Sequence, residues 1–333
     1  MSGFVLATGR LRVASLALLC AAALLPGGIA HAKSTLRLAH ASSTTSLIQQ
    51  ASQMFADEVQ KRTKGEITIR IYPDAQLGDE GPIADGVGSG SIDIGLGGVV
   101  DGIDPKLNAV TLPFLFANAK AAHNFLDSAE GKKLFSTGGS RGFYMLGALD
   151  SGFRQFANSA RAIKSPQDLQ GLKLRTPPNP VILATIKRLG ALPQSIPFGE
   201  VYTSLQAKVV DGVEPEIRDF YDQKWYESVK FLSISNYIWT PNYWFMNKAK
   251  FDALPEDQRK AIDEAAVVTT RWYRGALDQV YADILAKLKA QGVQVNEVDP
   301  APFRAMVKPV YDQFGAEWGV ELVERVRKSA AGE

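Results

Sequence analysis

The spacing most suggestive of covalent chemistry is Gly138-Gly139-Ser140-Arg141-Gly142. This is the frame in which a serine nucleophile sits on a sharp strand-to-helix turn. Here the order is reversed: a helical pattern over Ala119–Leu134 precedes it and an alternating strand, Phe143–Leu149, follows. The frame therefore reads as a helix-ending turn, and a hydrolase using Ser140 is kept only as a remote alternative. Gly86, Gly88 and Gly90 lack dinucleotide-loop spacing and read as a helix terminator. Asp74, Asp79, Glu80 and Asp85 do not have the spacing of a calcium loop and read as a solvated face. The chain has one cysteine, Cys20, and three histidines, which is too few for a Cys/His zinc set. No catalytic residue, metal ion or cofactor is expected.

The elements that must position any other chemistry alternate along the chain. Thr35–Ala39 reads as a strand, Ser46–Thr63 as a helix stopped by Gly65, and Glu66–Tyr72 as a strictly alternating second strand. A strand–helix–strand unit of this kind favours parallel pairing. A short helix at Ile83–Val87, a strand at Ile92–Leu96 and the Gly97-Gly98 loop follow. A second block starts near Ser151, with strands at Gly152–Ala157, Gly171–Arg175 and Val209–Glu214 and helices over Val181–Leu189 and from Phe198 to Leu205. The stretch Ala253–Val326 is largely helical. Two alternating blocks predict an α/β protein of two lobes. Ligands of such sheets lie beyond the carboxyl ends of the strands. His40, Gly97, Arg154, Arg175 and Glu214 occupy those ends.

The N-terminus is a separate object. Arg10 and Arg12 precede an apolar run, Val13–Leu25, which Pro26-Gly27-Gly28 breaks before Ala30-His31-Ala32. This is the pattern of a secretory signal peptide over residues 1–32, cleaved after Ala32. The run is short of the roughly 20 apolar residues that span a bilayer. Residues 1–32 hold two arginines and no acids, so cleavage takes the net charge from +2 to zero and removes Cys20. A neutral mature chain has no global field for nucleic acid.

Several segments, in order, resemble the DctP-type solute-binding proteins of TRAP (tripartite ATP-independent periplasmic) transporters. They are Phe55-Ala56-Asp57-Glu58-Val59, Tyr72-Pro73-Asp74-Ala75-Gln76-Leu77-Gly78, Gly90-Ser91-Ile92-Asp93-Ile94, Leu112-Pro113-Phe114-Leu115-Phe116, the run from Ile163-Lys164-Ser165-Pro166 to Leu174-Arg175, Pro197-Phe198-Gly199-Glu200-Val201-Tyr202, Leu205 to Gly212, and Leu254-Pro255-Glu256-Asp257. The resemblance implies a two-lobed periplasmic-binding-protein-like fold, with crossing strands and a long helix spanning the lobes. Lobe I would hold 33–150 with about 240–280, and lobe II 151–239 with about 281–333. It further implies a monomeric periplasmic protein that captures a small organic acid, such as a C4-dicarboxylate, hydroxy acid or sugar acid. The acid would be delivered to the small and large TRAP membrane subunits. A same-fold protein serving a sensor or an ATP-driven transporter is the alternative.

Residue by residue, Arg175 falls on the family's carboxylate-binding arginine, a role that suits a planar guanidinium with two parallel donors. Arg154 falls on a second arginine, Phe198 on an apolar wall, and His40 on a polar strand-end position. Glu214 is expected to position an arginine or accept a ligand hydroxyl. Trp239, Asn242 and Tyr243, on a lobe-crossing strand, are expected to stack on the ligand, bind its hydroxyls or pack the hinge. Two departures bear on the ligand: Pro215 stands where many members carry Asn, and Gly97-Gly98 stands where sialic-acid binders carry an acid.

Overall fold

The alternating run Ser34–Ala39 forms strand β1 in the computed structural model, which describes Met1, Gly3 and residues 33–332. The expected signal peptide therefore lies outside the described residues except at those first two positions. Helix α1, Leu47–Arg62, buries one stripe through Ile48, Ala51, Phe55 and Val59. Ser46 caps its start by accepting from the Gln49 amide at 3.2 Å. Strand β2, Ile67–Tyr72, helix α2, Glu80–Ser89, and strand β3, Ile94–Gly97, complete the first block.

Where a single helix is expected over Ala119–Leu134, the chain makes two, α3, Ala119–Asp127, and α4, Ala129–Ser136. Ser128 divides them: its hydroxyl donates to Phe125 O at 2.6 Å and accepts from Gly131 N–H at 3.2 Å. A side chain has no room at Gly131, where a Cβ would lie 2.3 Å from Phe125 O.

The expected strands Phe143–Leu149 and Gly152–Ala157 are one element, β4, Phe143–Asn158. Next come β5, Lys173–Thr176, α5, Pro180–Arg188, β6, Leu192–Ser195, α6, Val201–Gln206, β7, Gly212–Val213, and α7, Ile217–Asp222. Strand β8, Phe231–Asn247, runs the length of β4. The C-terminal part holds α8, Lys248–Ala253, α9, Glu256–Ala290, β9, Gln294–Glu297, α10, Ala301–Trp318, and α11, Val320–Ala331. No helix among the described residues is long and apolar enough to cross a membrane.

One mixed sheet has the order β2-β1-β3-β8-β4-β7-β5-β6, with β9 added on β8. Pairing is parallel within each block, β1 with β2 and β3, and β5 with β6 and β7. The antiparallel pair β4–β8 joins the blocks. Helix α9 has 35 residues, roughly 50 Å at 1.5 Å per residue. It packs on α1 and β4 in the first block and on α7 in the second. The C-terminal helices also reach both blocks, α10 against α5 and α11 against α3 and α4.

β4 passes from one block to the other at a bulge. The register shifts between Asp150 and Gly152, where Pro241 stands opposite Asp150. Proline has no amide hydrogen to offer the ladder, and the extra residue is absorbed by Gly152 at φ +115°. Tyr281 of α9 covers the bulge, its hydroxyl donating to Ser151 O at 3.3 Å. A Cβ on Gly152 would lie 1.9 Å from that hydroxyl oxygen.

This crowding predicts that Gly152→Ala lowers the urea unfolding midpoint by the equivalent of about 1–3 kcal/mol, through overpacking and the positive φ. Adding Tyr281→Phe should restore part of the loss. A G152A protein as stable as the parent would show that the bulge yields freely.

Candidate functional site

Strand β5 ends at the turn Thr176-Pro177-Pro178-Asn179-Pro180, and this turn opens one wall of a cleft between the blocks. Asn179 fixes the turn. Its side-chain oxygen accepts from the Val181 and Ile182 amides at 3.0 and 3.1 Å, capping α5. Its amide nitrogen donates to Asn108 Oδ1 of the first block at 2.8 Å. Arg175 projects from this strand and is 2% exposed. Nε donates to Ile196 O at 2.9 Å, and the guanidinium carbon lies 5.9 Å from the Trp225 ring centre. Among the described residues no side chain or carbonyl accepts from Nη1 or Nη2, and no carboxylate lies within ion-pair distance. Burial, and next the Arg154 charge, push its pKa down to about 10.

Arg154, on β4 beside the bulge, lines the same cleft in the opposite condition. Its Nε donates to the Glu214 carboxylate, Nη2 to Glu214 Oε1 at 2.8 Å and to Glu214 O at 2.7 Å, and Nη1 to Glu216 Oε1 at 2.6 Å. Tyr237 donates to Glu214 at 2.5 Å and Thr240 to Glu216 at 2.5 Å. Burial alone would push Arg154 down, but Glu214 and Glu216 hold its pKa well above the ordinary value. Burial would likewise push Glu216 up, and Arg154 with Thr240 holds it down. The network satisfies nearly all of its polar atoms in the dry interior, as buried charges require. One guanidinium is thus bound by the protein and its neighbour is left open.

Other walls come from both blocks. Phe198 packs edge-on against Trp225, with centroids 5.5 Å apart, and with Ile182 and Pro177 gives an apolar surface. Asn242, held by its bond to Ser151 Oγ at 2.7 Å, and Ser42 add polar groups. Glu80, at the start of α2, enters from the first block, and burial followed by the Asp79 charge pushes its pKa up to about 7. Asp219 enters from α7, 2.9 Å from Arg218 behind it, and burial pushes it too up to about 7. The rim is pinned across the blocks by Asp79. Its Oδ1 caps α2 at the Glu80 amide, 2.7 Å, and its Oδ2 accepts from Gly199 N–H at 3.0 Å.

Of the residues expected at the site, Arg175, Arg154, Phe198 and Asn242 line the cleft together. Glu214 lies behind Arg154 and positions it. His40, Trp239 and Tyr243 are not on the cleft wall. His40 is 1% exposed and bonded to Gln49 at 3.0 Å, with burial holding it below its usual pKa. Trp239 packs edge-on to Phe116, and Tyr243 donates to Leu107 O at 2.5 Å, so both belong to the hydrophobic core. Ser140 donates to Thr137 O at 2.9 Å within a 3-10 turn, and among the described residues no histidine is bonded to it. The expectation that Glu80 belongs to a solvated face is overturned, because α2 starts at the cleft and turns it inward. Glu216, Asp219, Trp225 and Thr240 also line the cleft without a sequence expectation behind them. Glu216 lies two residues beyond Glu214, outside the expected strand Val209–Glu214 and outside β7, so no strand pattern pointed to it.

Residues 38–317 match the model of bacterial extracellular solute-binding protein, family 7 (DctP). The 2,3-diketo-L-gulonate-binding periplasmic protein YiaO of Escherichia coli is 33% identical over 301 residues, covering 89% of this chain and 92% of that one. The sugar acid binding protein DctPAm of Advenella mimigardefordensis, solved with galactonate, superposes with a TM-score of 0.86 at 32% identity over 90% of this chain and 99% of that one. A TRAP periplasmic solute-binding protein of Sulfurospirillum deleyianum, solved with succinate, gives 0.83 at 27% identity over 89% and 99%.

The network around Arg154 predicts a large asymmetry between partners. Arg154→Met leaves two carboxylates buried without their cation and should cost about 3–5 kcal/mol in urea unfolding. Glu214→Gln, which keeps the shape and one acceptor, should cost less. Equal losses would show that packing rather than charge dominates there.

Proposed function

Because the chain belongs to the bacterial extracellular solute-binding protein family 7, we propose that the cleft binds the carboxylate of a small organic acid, with Arg175 as its anchor. The observation that carries this reading is the open fork of Arg175: a guanidinium 2% exposed, tethered through Nε, with no acceptor among the described residues for its two terminal nitrogens. A buried cation in that condition is unfavourable until an anion meets it, and a carboxylate offers two oxygens at matching spacing. Arg154, already taken by Glu214 and Glu216, supplies positive field and at most one further donor. Phe198 and Trp225 provide the apolar wall.

In this reading residues 33–150 with about 240–280 form one lobe and 151–239 with about 281–333 the other, although α11 lies against the first. Closure of the lobes buries the acid. The leader over 1–32 exports the chain to the periplasm, where it acts as a monomer and passes the acid to the small and large TRAP membrane subunits. The protein binds and releases its ligand unchanged and is not an enzyme. The relatives above bind sugar acids in two cases and succinate in the third, which supports the carboxylate without choosing between those classes.

Thermal-shift screening with organic acids should give a large stabilisation for one class. A ligand at 100-fold excess over its dissociation constant adds roughly 2.7 kcal/mol. Arg175→Ala should abolish the shift, and Arg175→Lys should fail to restore it, since an ammonium has no planar fork. A shift that survives R175A removes the anchor role.

A further inference from the structure

Away from the cleft, the first part of β4 is an edge of the sheet. Phe143–Ala148 pairs with β8 on one side, and β7 joins the other side of the strand only at Ala157 and Asn158. Among the described residues no strand covers the outer side of Phe143–Ala148. This edge is recessed between helices. A groove of about 970 Å³ lies along it, with α3 and α4 as one wall and α9 as the other. β4 contributes Met145 and Leu146, the first wall Leu126 and Phe135, and the second Val267, 56% exposed. Arg274 of α9 donates to the Asp127 carboxylate of α3 at 2.7 and 3.2 Å and ties the walls together. The charges of the groove are unbalanced. Asp127 is taken by Arg274, Asp263 accepts from Tyr144 at 2.9 Å, and Lys248 pairs with Asp252 at 2.6 Å. Lys132 on α4 and Arg271 on α9 line the groove with no carboxylate within ion-pair distance among the described residues.

We propose that this groove binds an extended segment of another protein, acidic and apolar in composition, which adds as a strand to the outer edge of β4. Alternate amides and carbonyls along such an edge point away from the paired strand and are open to a new ladder. Strand addition takes its affinity from those main-chain bonds and its specificity from the side-chain walls. Phe143–Ala148 offers roughly 20 Å of edge at about 3.4 Å per residue. Successive side chains of the added strand face α9 and the α3–α4 wall in turn. One carboxylate toward each wall meets Arg271 and Lys132, and apolar residues between them cover Met145, Leu146 and Val267. The bulge in β4, where the register shifts between Met145 and Gly147 and Gly147 takes φ +149°, spoils the edge as a template for long sheets. With helices on both sides, the groove admits a short single segment and excludes the rim of a second folded sheet. The inference does not depend on Arg175 or on which acid the cleft takes.

A phage-displayed library of random linear peptides, panned on the purified protein, supplies the probes. Enriched sequences should alternate with apolar residues and carry carboxylates an odd number of positions apart, so that one faces each wall. A synthetic peptide of that kind should slow hydrogen exchange at the amides of Phe143–Ala148 and leave β5, on the cleft, unchanged. Lys132→Glu combined with Arg271→Glu should weaken its binding about 3- to 30-fold, and added salt should weaken binding to the parent protein. Two N-methylated forms of the peptide give a reading that needs no variant to fold. Methyls on the alternate amides that face β4 should abolish binding, while methyls on the intervening amides should leave it within about threefold. Equal binding of the two forms, enriched sequences without acids, a protected segment elsewhere, or no enrichment at all overturns the proposal. Self-association that protects the same amides would make a second copy the occupant, and protection by dodecanoate alone would make it a small amphiphile. Either result overturns the assignment to a peptide segment.

Discussion

A buried guanidinium, that of Arg175, whose two outer nitrogens have no acceptor among the described residues is the condition around which the rest of the cleft is arranged. Taking a cation out of water is expensive, and proteins normally supply a carboxylate to offset it. Arg154 shows the protein doing so, with Glu214 and Glu216 on either side. Arg175, from an adjoining part of the same sheet, is denied that partner and held by a backbone carbonyl and an indole instead. The neighbouring Arg154 makes the position less comfortable still. Stability given up locally in this way would be recovered on binding of an anion, so in the proposed reading the site's affinity and its unfavourable charge are one quantity seen from two sides.

The fold serves that condition by placing strand ends from both blocks around one cleft. Parallel strands β1 and β3 end on one side and β5 and β7 on the other, with the long β4–β8 pair beneath. The bulge at Gly152 lies where β4 crosses, two residues before Arg154. The tyrosines of α9 tie that crossing down: Tyr273 donates to Asp150 O at 2.9 Å and receives Arg218 at 3.0 Å, and Tyr281 reaches Ser151 O. Arg218 in turn backs Asp219 in the cleft wall. Cleft-lining groups, the crossing strand and the long helix are thereby one hydrogen-bonded assembly.

Local pattern carried much of this arrangement. Strict alternation marked β2, and the 3.6-residue stripe through Phe55 and Val59 marked α1, because each buries one face. Arg175 was legible from its strand end and the proline-rich turn beyond it. Pattern failed where a tertiary partner decides. One strand looked like two because Gly152 reads as a break until Pro241 is seen opposite it. Two helices looked like one because Ser128 is as compatible with a helix as with a cap until Gly131 closes on it. His40, Trp239 and Tyr243 were drawn to the site by position along their strands, but each is buried against other partners, Gln49, Phe116 and Leu107. Glu80 was hidden for the converse reason: among Asp79, Asp85 and other acids it resembles an exposed surface, and only the start of α2 at the cleft turns it inward.

Asp79 joins the two halves by a single hydrogen bond to main chain. One of its oxygens is fixed by the first turn of α2, so the other is already aimed at the opposite rim and little rotamer freedom is lost when it engages. Its partner is a main-chain amide, which every residue except proline possesses. A Cβ at Gly199 would sit 3.8 Å from the accepting oxygen, an ordinary contact. The clasp between halves can therefore persist while the side chains around it drift, leaving the interior free to be retuned for different acids.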